Sequence, residues 1–264
     1  MKKWLLLSVV AFLGCYIGGL YALQDDLIFY PQHNHITPKE AQLSQFKEID
    51  VTAEDGTKIR LWYSAGDKKE PAILYFHGNA YQNAFFAPYL QSFIDDGSAV
   101  AMMEYRGFGG TEGELKQENV FSDAALAFDW LKKQGYSQII VYGYSFGCAV
   151  SLGLSTLRTP DKMILTAPFS SLKRLVKEKP VPFAGLVLRD VYPSDEYIKN
   201  YHNPLLIIHG KKDRLIPYHH AEILYENSAS EDKMLVLLPD ENHQTIFMGE
   251  KNLPEIFKWL YRED

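Results

Sequence analysis

An α/β domain with a mostly parallel central sheet and helices on both faces is what this 264-residue sequence predicts. Three observations carry the prediction. Short, almost wholly apolar runs of strand length recur between residues 72 and 238, as strands buried on both faces do. Most of them are separated by stretches whose apolar residues fall at helical spacing. The run at 139–142 leads through Gly143-Tyr144-Ser145-Phe146-Gly147 into a small, apolar segment of helical character, a succession of strand, sharp turn and helix.

Taken in order, the chain opens with Met1-Lys2-Lys3 and an uncharged, mostly apolar stretch at 4–23, closed by Asp25 and Asp26. That stretch is about as long as a bilayer-spanning helix requires. Lysines before it and acids after it leave the amino terminus in the cytoplasm and send the rest across. The expectation is an uncleaved anchor within residues 1–26, followed by one folded domain at 27–264. A cleaved signal and a lipoprotein signal ending at Cys15 are the alternatives. Leu20-Tyr21-Ala22 lacks the small residue a cleavage site wants, and Phe12-Leu13-Gly14-Cys15 matches a lipobox only loosely.

Residues 46–64 read as a hairpin of edge strands turning at Glu54-Asp55-Gly56. Buried strands follow at 72–76 and 99–103, with helix-like residues up to Phe93 between them. The stretch 118–133 carries Val120, Ala124, Leu126, Ala127, Trp130 and Leu131 at helical spacing before the strand that leads to Ser145. Further strands are expected at 163–167, 205–208 and 234–238, with helices over 219–227 and 253–261. Residues 170–203 interrupt the alternation with short helical pieces, a short cap insertion. Its apolar run at 181–188 either packs onto the core or faces the bilayer.

Composition narrows the classes of function. With 47% hydrophobic and 23% charged residues the chain is an ordinary globular one. A formal charge of -6 without a basic patch makes nucleic acid an unexpected partner. Cys15 and Cys148 stand in different settings, so no disulfide is expected, and Cys148 reads as a small core residue. The histidines show no ligand spacing such as His-Glu-x-x-His and no cysteine pairs exist, so no metal is expected. No cofactor is expected either: Gly107-Phe108-Gly109-Gly110 lacks the Lys-Ser/Thr of a phosphate loop.

The chemistry rests on Ser145. A serine hydroxyl is a poor nucleophile until a base takes its proton and an acid orients that base. In an open α/β sheet such groups gather at the carboxyl ends of the strands. The strand at 205–208 is followed by His209-Gly210-Lys211-Lys212-Asp213, and the last strand by Pro239-Asp240-Glu241-Asn242-His243. Asp213 and His243 therefore fall on the right edge, in the chain order Ser, Asp, His. Asp240 stands three residues before His243 and is expected to shape its loop. His77 and His209 each precede a glycine at a strand end, where a ring packs or bonds backbone.

Together, Gly143-Tyr144-Ser145-Phe146-Gly147, His77-Gly78-Asn79-Ala80, Tyr105-Arg106-Gly107-Phe108-Gly109, His209-Gly210 with Asp213, and His243 resemble the α/β-hydrolases, over nearly everything from residue 46 onward. Leu27-Ile28-Phe29-Tyr30-Pro31 is similar to the segment that follows the anchor in the serine-aminopeptidase-like branch of membrane-anchored hydrolases, which includes protein depalmitoylases. One departure is Glu104, where that branch has Asp, a residue expected beside the site. The resemblance implies Ser145 as nucleophile, His243 as base and Asp213 as orienting acid, with the backbone amides of Phe146 and Asn79 as the oxyanion hole.

The expected activity is hydrolysis of a carboxylic ester or thioester through an acyl-enzyme on Ser145. A small-molecule or lipid-like acyl substrate is implied, met at a membrane on its non-cytoplasmic side. A peptidase using the same triad and a non-catalytic anchored binding protein are the other readings.

Overall fold

The computed structural model describes residues 2–248 and 251–262; Met1 of the amino-terminal segment lies outside them. In chain order the elements are α1 (Lys2–Ile28), β1 (Tyr30–Pro31), β2 (Lys47–Thr52), β3 (Lys58–Ser64), β4 (Ala72–Phe76), β5 (Ala80–Tyr81), α2 (Asn83–Phe86), α3 (Gln91–Asp95), β6 (Ala99–Met103) and α4 (Gln117–Lys133). Then come β7 (Ile139–Tyr144), α5 (Phe146–Ser155), β8 (Lys162–Thr166), α6 (Leu172–Lys177), α7 (Ala184–Val187), α8 (Ser194–Tyr197), β9 (Leu205–Gly210), α9 (His219–Asn227), β10 (Lys233–Leu238), α10 (Thr245–Met248) and α11 (Asn252–Leu260).

Eight strands form the main sheet in the order β10-β9-β8-β7-β4-β6-β3-β2. The hairpin β2–β3 and its junction with β6 are antiparallel, and all other neighbours are parallel. This is the α/β-hydrolase architecture the motifs implied. The hairpin turns at Gly56, whose φ of +86° suits a residue without a β-carbon. Every residue of β4, β6, β7 and β9 is buried, which is why these strands read as continuous apolar runs.

Successive side chains of a strand point to opposite faces. Ile139 and Val141 of β7 accordingly join one core with Ala124 and Leu131 of α4 and Val150 and Leu154 of α5. Ile140 and Tyr142 join the other, with Phe93, Ile256 and Trp259. Each such large apolar side chain, taken out of water, contributes about 1.5–3 kcal/mol.

Two local expectations are corrected. The helical stretch up to Phe93 is not continuous: α2 and α3 flank a 3-10 turn at Ala87–Leu90, where Pro88 has no amide to donate. The cap, made of α6 to α8, does contain short pieces, but 181–188 is not simply packed onto the core. Leu188 reaches the core, whereas Val181, Phe183 and Leu186 stand exposed.

The cap lies along α1 instead. Gln24 Nε2 donates to the Val187 carbonyl (3.3 Å), the Arg189 amide donates to Gln24 Oε1 (2.8 Å), Tyr16 donates to the Pro182 carbonyl (3.1 Å), and Arg189 pairs with Asp25. The helix itself runs past the acids at 25 and 26 to Ile28 and is long and apolar enough to cross a membrane.

Candidate active site

Ser145 occupies the turn between β7 and α5 with φ 54° and ψ -115°, a conformation that costs a non-glycine residue on the order of 1–3 kcal/mol. The surroundings hold it there. Its amide donates to the Thr166 carbonyl (2.9 Å), and its carbonyl accepts from the Cys148 amide (3.0 Å). The flanking glycines are steric requirements. A β-carbon at Gly143 would stand 2.5 Å from the Gly147 carbonyl oxygen, and one at Gly147 would stand 1.9 Å from the Phe76 carbonyl oxygen.

Asp213 lies in the loop after β9, buried, and is gripped from several sides. Its Oδ1 accepts the amides of Leu215 (2.9 Å) and Ile216 (2.8 Å), and its Oδ2 accepts from His243 Nδ1 (2.7 Å). His209 Nε2, 2.9 Å from the Ile216 carbonyl, also approaches Asp213 Oδ2 at 3.3 Å. Burial alone pushes this carboxyl's pKa up, but the bonds from His209 and His243 outweigh it and hold it well below the ordinary carboxylate range.

His243 follows β10 in the loop before α10. Its carbonyl accepts from the Tyr144 hydroxyl (2.8 Å), and the two rings lie 5.5 Å apart. With Asp213 at Nδ1, the imidazole carries its proton there and turns the Nε2 lone pair to the Ser145 hydroxyl, 3.0 Å away. Ser145, His243 and Asp213, nominated from three separate loops, thus form one hydrogen-bonded chain. Asp240 stays outside it, paired with Lys212 at 2.8 Å on the surface.

Phe146 and Asn79 flank the serine. The Phe146 amide opens α5, where a helix leaves its first amides without internal partners. Asn79 is fixed by the chain just after α1: its carbonyl accepts the Tyr30 amide (2.8 Å), its side chain donates to the Ile28 carbonyl (2.5 Å), and β1 pairs parallel with β5. Behind this loop the His77 ring lies between the Gly78 carbonyl (2.7 Å) and the buried Glu104 carboxylate (3.1 Å), which also accepts the Asn83 amide (3.0 Å). Glu104 therefore braces the loop from below.

A hollow of about 460 Å³ opens at Ser145 and His243, lined by Tyr81, Phe85, Phe86, Leu215, Phe247 and Met248 among others. Sequence reasoning missed two contributors. The Tyr30–Ala80 pairing involves strands of two residues, too short for any periodicity. His209 was expected only to pack or bond backbone, and it also faces the acid. Its place at the end of β9, four residues before Asp213, was the available signal.

Residues 67–197 match the family described as serine aminopeptidase, S33. The Mycobacterium tuberculosis protein Rv2307c is 30% identical over 254 residues, covering 92% of this chain and 90% of its own. Protein bem46 of Schizosaccharomyces pombe is 25% identical over 269 residues, covering 94% of this chain and 89% of its own. Among solved structures, the Pyrococcus furiosus esterase Pf2001 superposes with a TM-score of 0.70 at 21% identity, covering 88% of this chain and 96% of that one, a likeness of fold. On its sheet order, its strand-turn-helix at Ser145 and these relatives, the chain belongs to the α/β-hydrolase superfamily, in its serine-aminopeptidase-like branch.

Proposed function

We propose that the protein is a membrane-anchored serine hydrolase that cleaves a carboxylic ester or thioester through an acyl-enzyme on Ser145. The observation that carries this reading is the unbroken run of hydrogen bonds from Ser145 Oγ through His243 to Asp213, at 3.0 and 2.7 Å. His243 Nε2 takes the hydroxyl proton as Ser145 attacks the acyl carbon, and Asp213 stabilises the resulting imidazolium. The amides of Phe146 and Asn79 receive the oxyanion. His243 then protonates the leaving alcohol or thiol, and water, activated by the same imidazole, releases the acid.

The hydrolase domain at 27–264 is read as facing the non-cytoplasmic side, because Lys2 and Lys3 stand before the apolar stretch at 4–23 and Asp25 and Asp26 stand after it. A helix of 27 residues is roughly 40 Å long, against about 30 Å of bilayer hydrocarbon. The cap runs alongside its last turns, which supports shallow burial of Val181, Phe183 and Leu186 in the bilayer. With the apolar lining beside Ser145, this favours acyl substrates drawn from the membrane.

The peptidase reading has one observation in its favour, the match to the family described as serine aminopeptidase. A non-catalytic binding role has none among the site residues, since all three members of the relay are present. Labelling with a fluorophosphonate probe tests the core of the proposal: wild type reacts and Ser145→Ala does not. A folded wild type that fails to react sinks it. A panel of acyl esters, acyl thioesters and aminoacyl amides then decides between esterase, thioesterase and peptidase.

A further inference from the structure

The cap carries a charge opposite to that of the chain as a whole. Residues 172–188 hold Lys173, Arg174, Lys177 and Lys179 against one acid, Glu178, whereas the full chain has a formal charge of -6. Glu178 is engaged elsewhere: its carboxylate faces His219 Nε2 at 3.1 Å and His220 Nε2 at 3.3 Å on the body of the domain. Arg174 has Asp195 at 3.7 Å. Lys173 and Lys177 are exposed and, among the described residues, have no acidic partner within 4.0 Å. Lys179 donates to the Leu215 carbonyl (2.5 Å), a neutral group that leaves its charge uncompensated.

These cations border the apolar tip of the cap. Lys177 and Lys179 line a hollow of about 450 Å³ with Val181, Phe183 and Leu186 among others. The Lys177 stem passes so close over Gly185 that a β-carbon there would stand 2.7 Å from Lys177 Cγ. A lysine stem covers apolar surface in this way while its ammonium group stays in polar surroundings. Phe183 has φ 63°, a left-handed conformation that a residue with a β-carbon adopts at a cost. Its ring is nevertheless 48% exposed.

The hollow lies beside α1. Tyr16 bonds the Pro182 carbonyl and Gln24 bonds the Val187 carbonyl, so the cap follows the helix for eight residues, about 12 Å. With α1 in a bilayer, the tip enters the hydrocarbon and the lysine stems reach back to the headgroups. Cations ringing an apolar tip at that depth match a lipid with a negative headgroup above its chains.

We propose that Lys173, Lys177 and Lys179, with Val181, Phe183 and Leu186, form a binding site for a membrane phospholipid with an anionic headgroup. The site rests on the reading of α1 as a membrane anchor and is separate from the Ser145 hollow. The ammonium groups take the headgroup phosphate, and the apolar side chains lie against the acyl chains. At an anionic surface each lysine strengthens the attraction by about fivefold.

The test is fluorescence quenching in vesicles holding the full chain with Phe183→Trp as reporter and Trp4→Phe to remove the tryptophan of the apolar stretch. The remaining tryptophans, Trp62, Trp130 and Trp259, pack in the cores of the domain. Phosphatidylcholine vesicles receive the same mole fraction of either phosphatidylglycerol or phosphatidylcholine with brominated acyl chains, which quench a tryptophan they touch. Brominated phosphatidylglycerol is expected to compete for the reporter about tenfold better than brominated phosphatidylcholine at low salt, and the preference should shrink in 1 M NaCl. Lys173→Gln with Lys177→Gln should reduce it to about twofold or less, and Lys173→Arg with Lys177→Arg should retain it, circular dichroism showing that both variants are folded. Equal quenching by the two lipids, or an undiminished preference in the folded glutamine variant, overturns the site while leaving the tip in the bilayer. Absence of quenching by either lipid places the tip outside the bilayer and overturns the membrane reading of the cap, and the site with it.

Discussion

Phe29, the residue after α1, lies edge-on against Phe146, the residue after the proposed nucleophile, with ring centroids 5.0 Å apart and planes at 74°. The chain that leaves the apolar helix thus touches both sides of the proposed oxyanion hole, since the neighbouring Ile28 carbonyl and Tyr30 amide hold Asn79. Loosening this contact should misplace the donors without removing them. Phe29→Ala is expected to lower kcat on a short soluble ester by about tenfold to a hundredfold, with KM little changed. Steady-state kinetics on the purified variant checks this; an unchanged kcat would show that the linker is passive.

The Ser145 chain predicts a graded series. Ser145→Ala and His243→Ala should each reduce kcat by about a million-fold, because the members of such a relay act as a unit. Asp213→Asn should cost about ten-thousand-fold, by presenting the wrong imidazole tautomer to the serine. All three can be followed with an activated ester, with thermal melts to show that each variant is folded.

Asp213 also predicts a pH dependence of stability. Its pKa is depressed in the folded chain, so in the acid range the unfolded state binds more protons and stability rises with pH. The contribution is fully present above the ordinary carboxylate value, about 3.9, and is lost as pH falls through the lower folded value. The gap in stability between wild type and Asp213→Asn should therefore be constant above about pH 5 and should close below about pH 4. Denaturant melts across that range measure it, and a gap that widens on acidification contradicts the assignment.

Gly147 leaves no room for a side chain, since a β-carbon there would stand 1.9 Å from the Phe76 carbonyl oxygen. Gly147→Ala should destabilise the domain by about 3 kcal/mol or more, as overpacking against backbone does. Gly78→Ala meets its nearest side-chain atoms at 3.4 Å, an ordinary contact distance. It should cost far less, and equal melting temperatures for the two variants would contradict the packing described.

The cap predicts a dependence on acyl-chain length. Replacing the exposed Phe183 and Leu186 with aspartate should leave turnover of a short soluble ester within about twofold, because surface changes of this kind barely affect folding. Turnover of a long-chain ester presented in vesicles should drop at least about tenfold, as apolar area for the bilayer is lost. Equal effects on both substrates would remove the cap from substrate capture.

What the sequence determined by itself is what local chemistry decides. Apolar runs at 72–76, 99–103 and 139–142 announce strands buried on both faces, and the Gly-x-Ser-x-Gly turn announces a serine held where no neighbouring β-carbon fits. Strand ends followed by Asp213 and His243 nominate the other two members of the relay. The amphipathic spacing at 118–133 and 219–227 marks helices close to their observed limits. The tertiary structure decided the rest, because those contacts join stretches that carry no signal of each other. Two-residue strands pair Tyr30 with Ala80 across fifty residues; a cap of short helices lies along α1; Glu178 meets His219 and His220 across 41 and 42 residues. A residue's burial and turn preference are written in its near neighbours, whereas which loops meet depends on how the whole sheet packs.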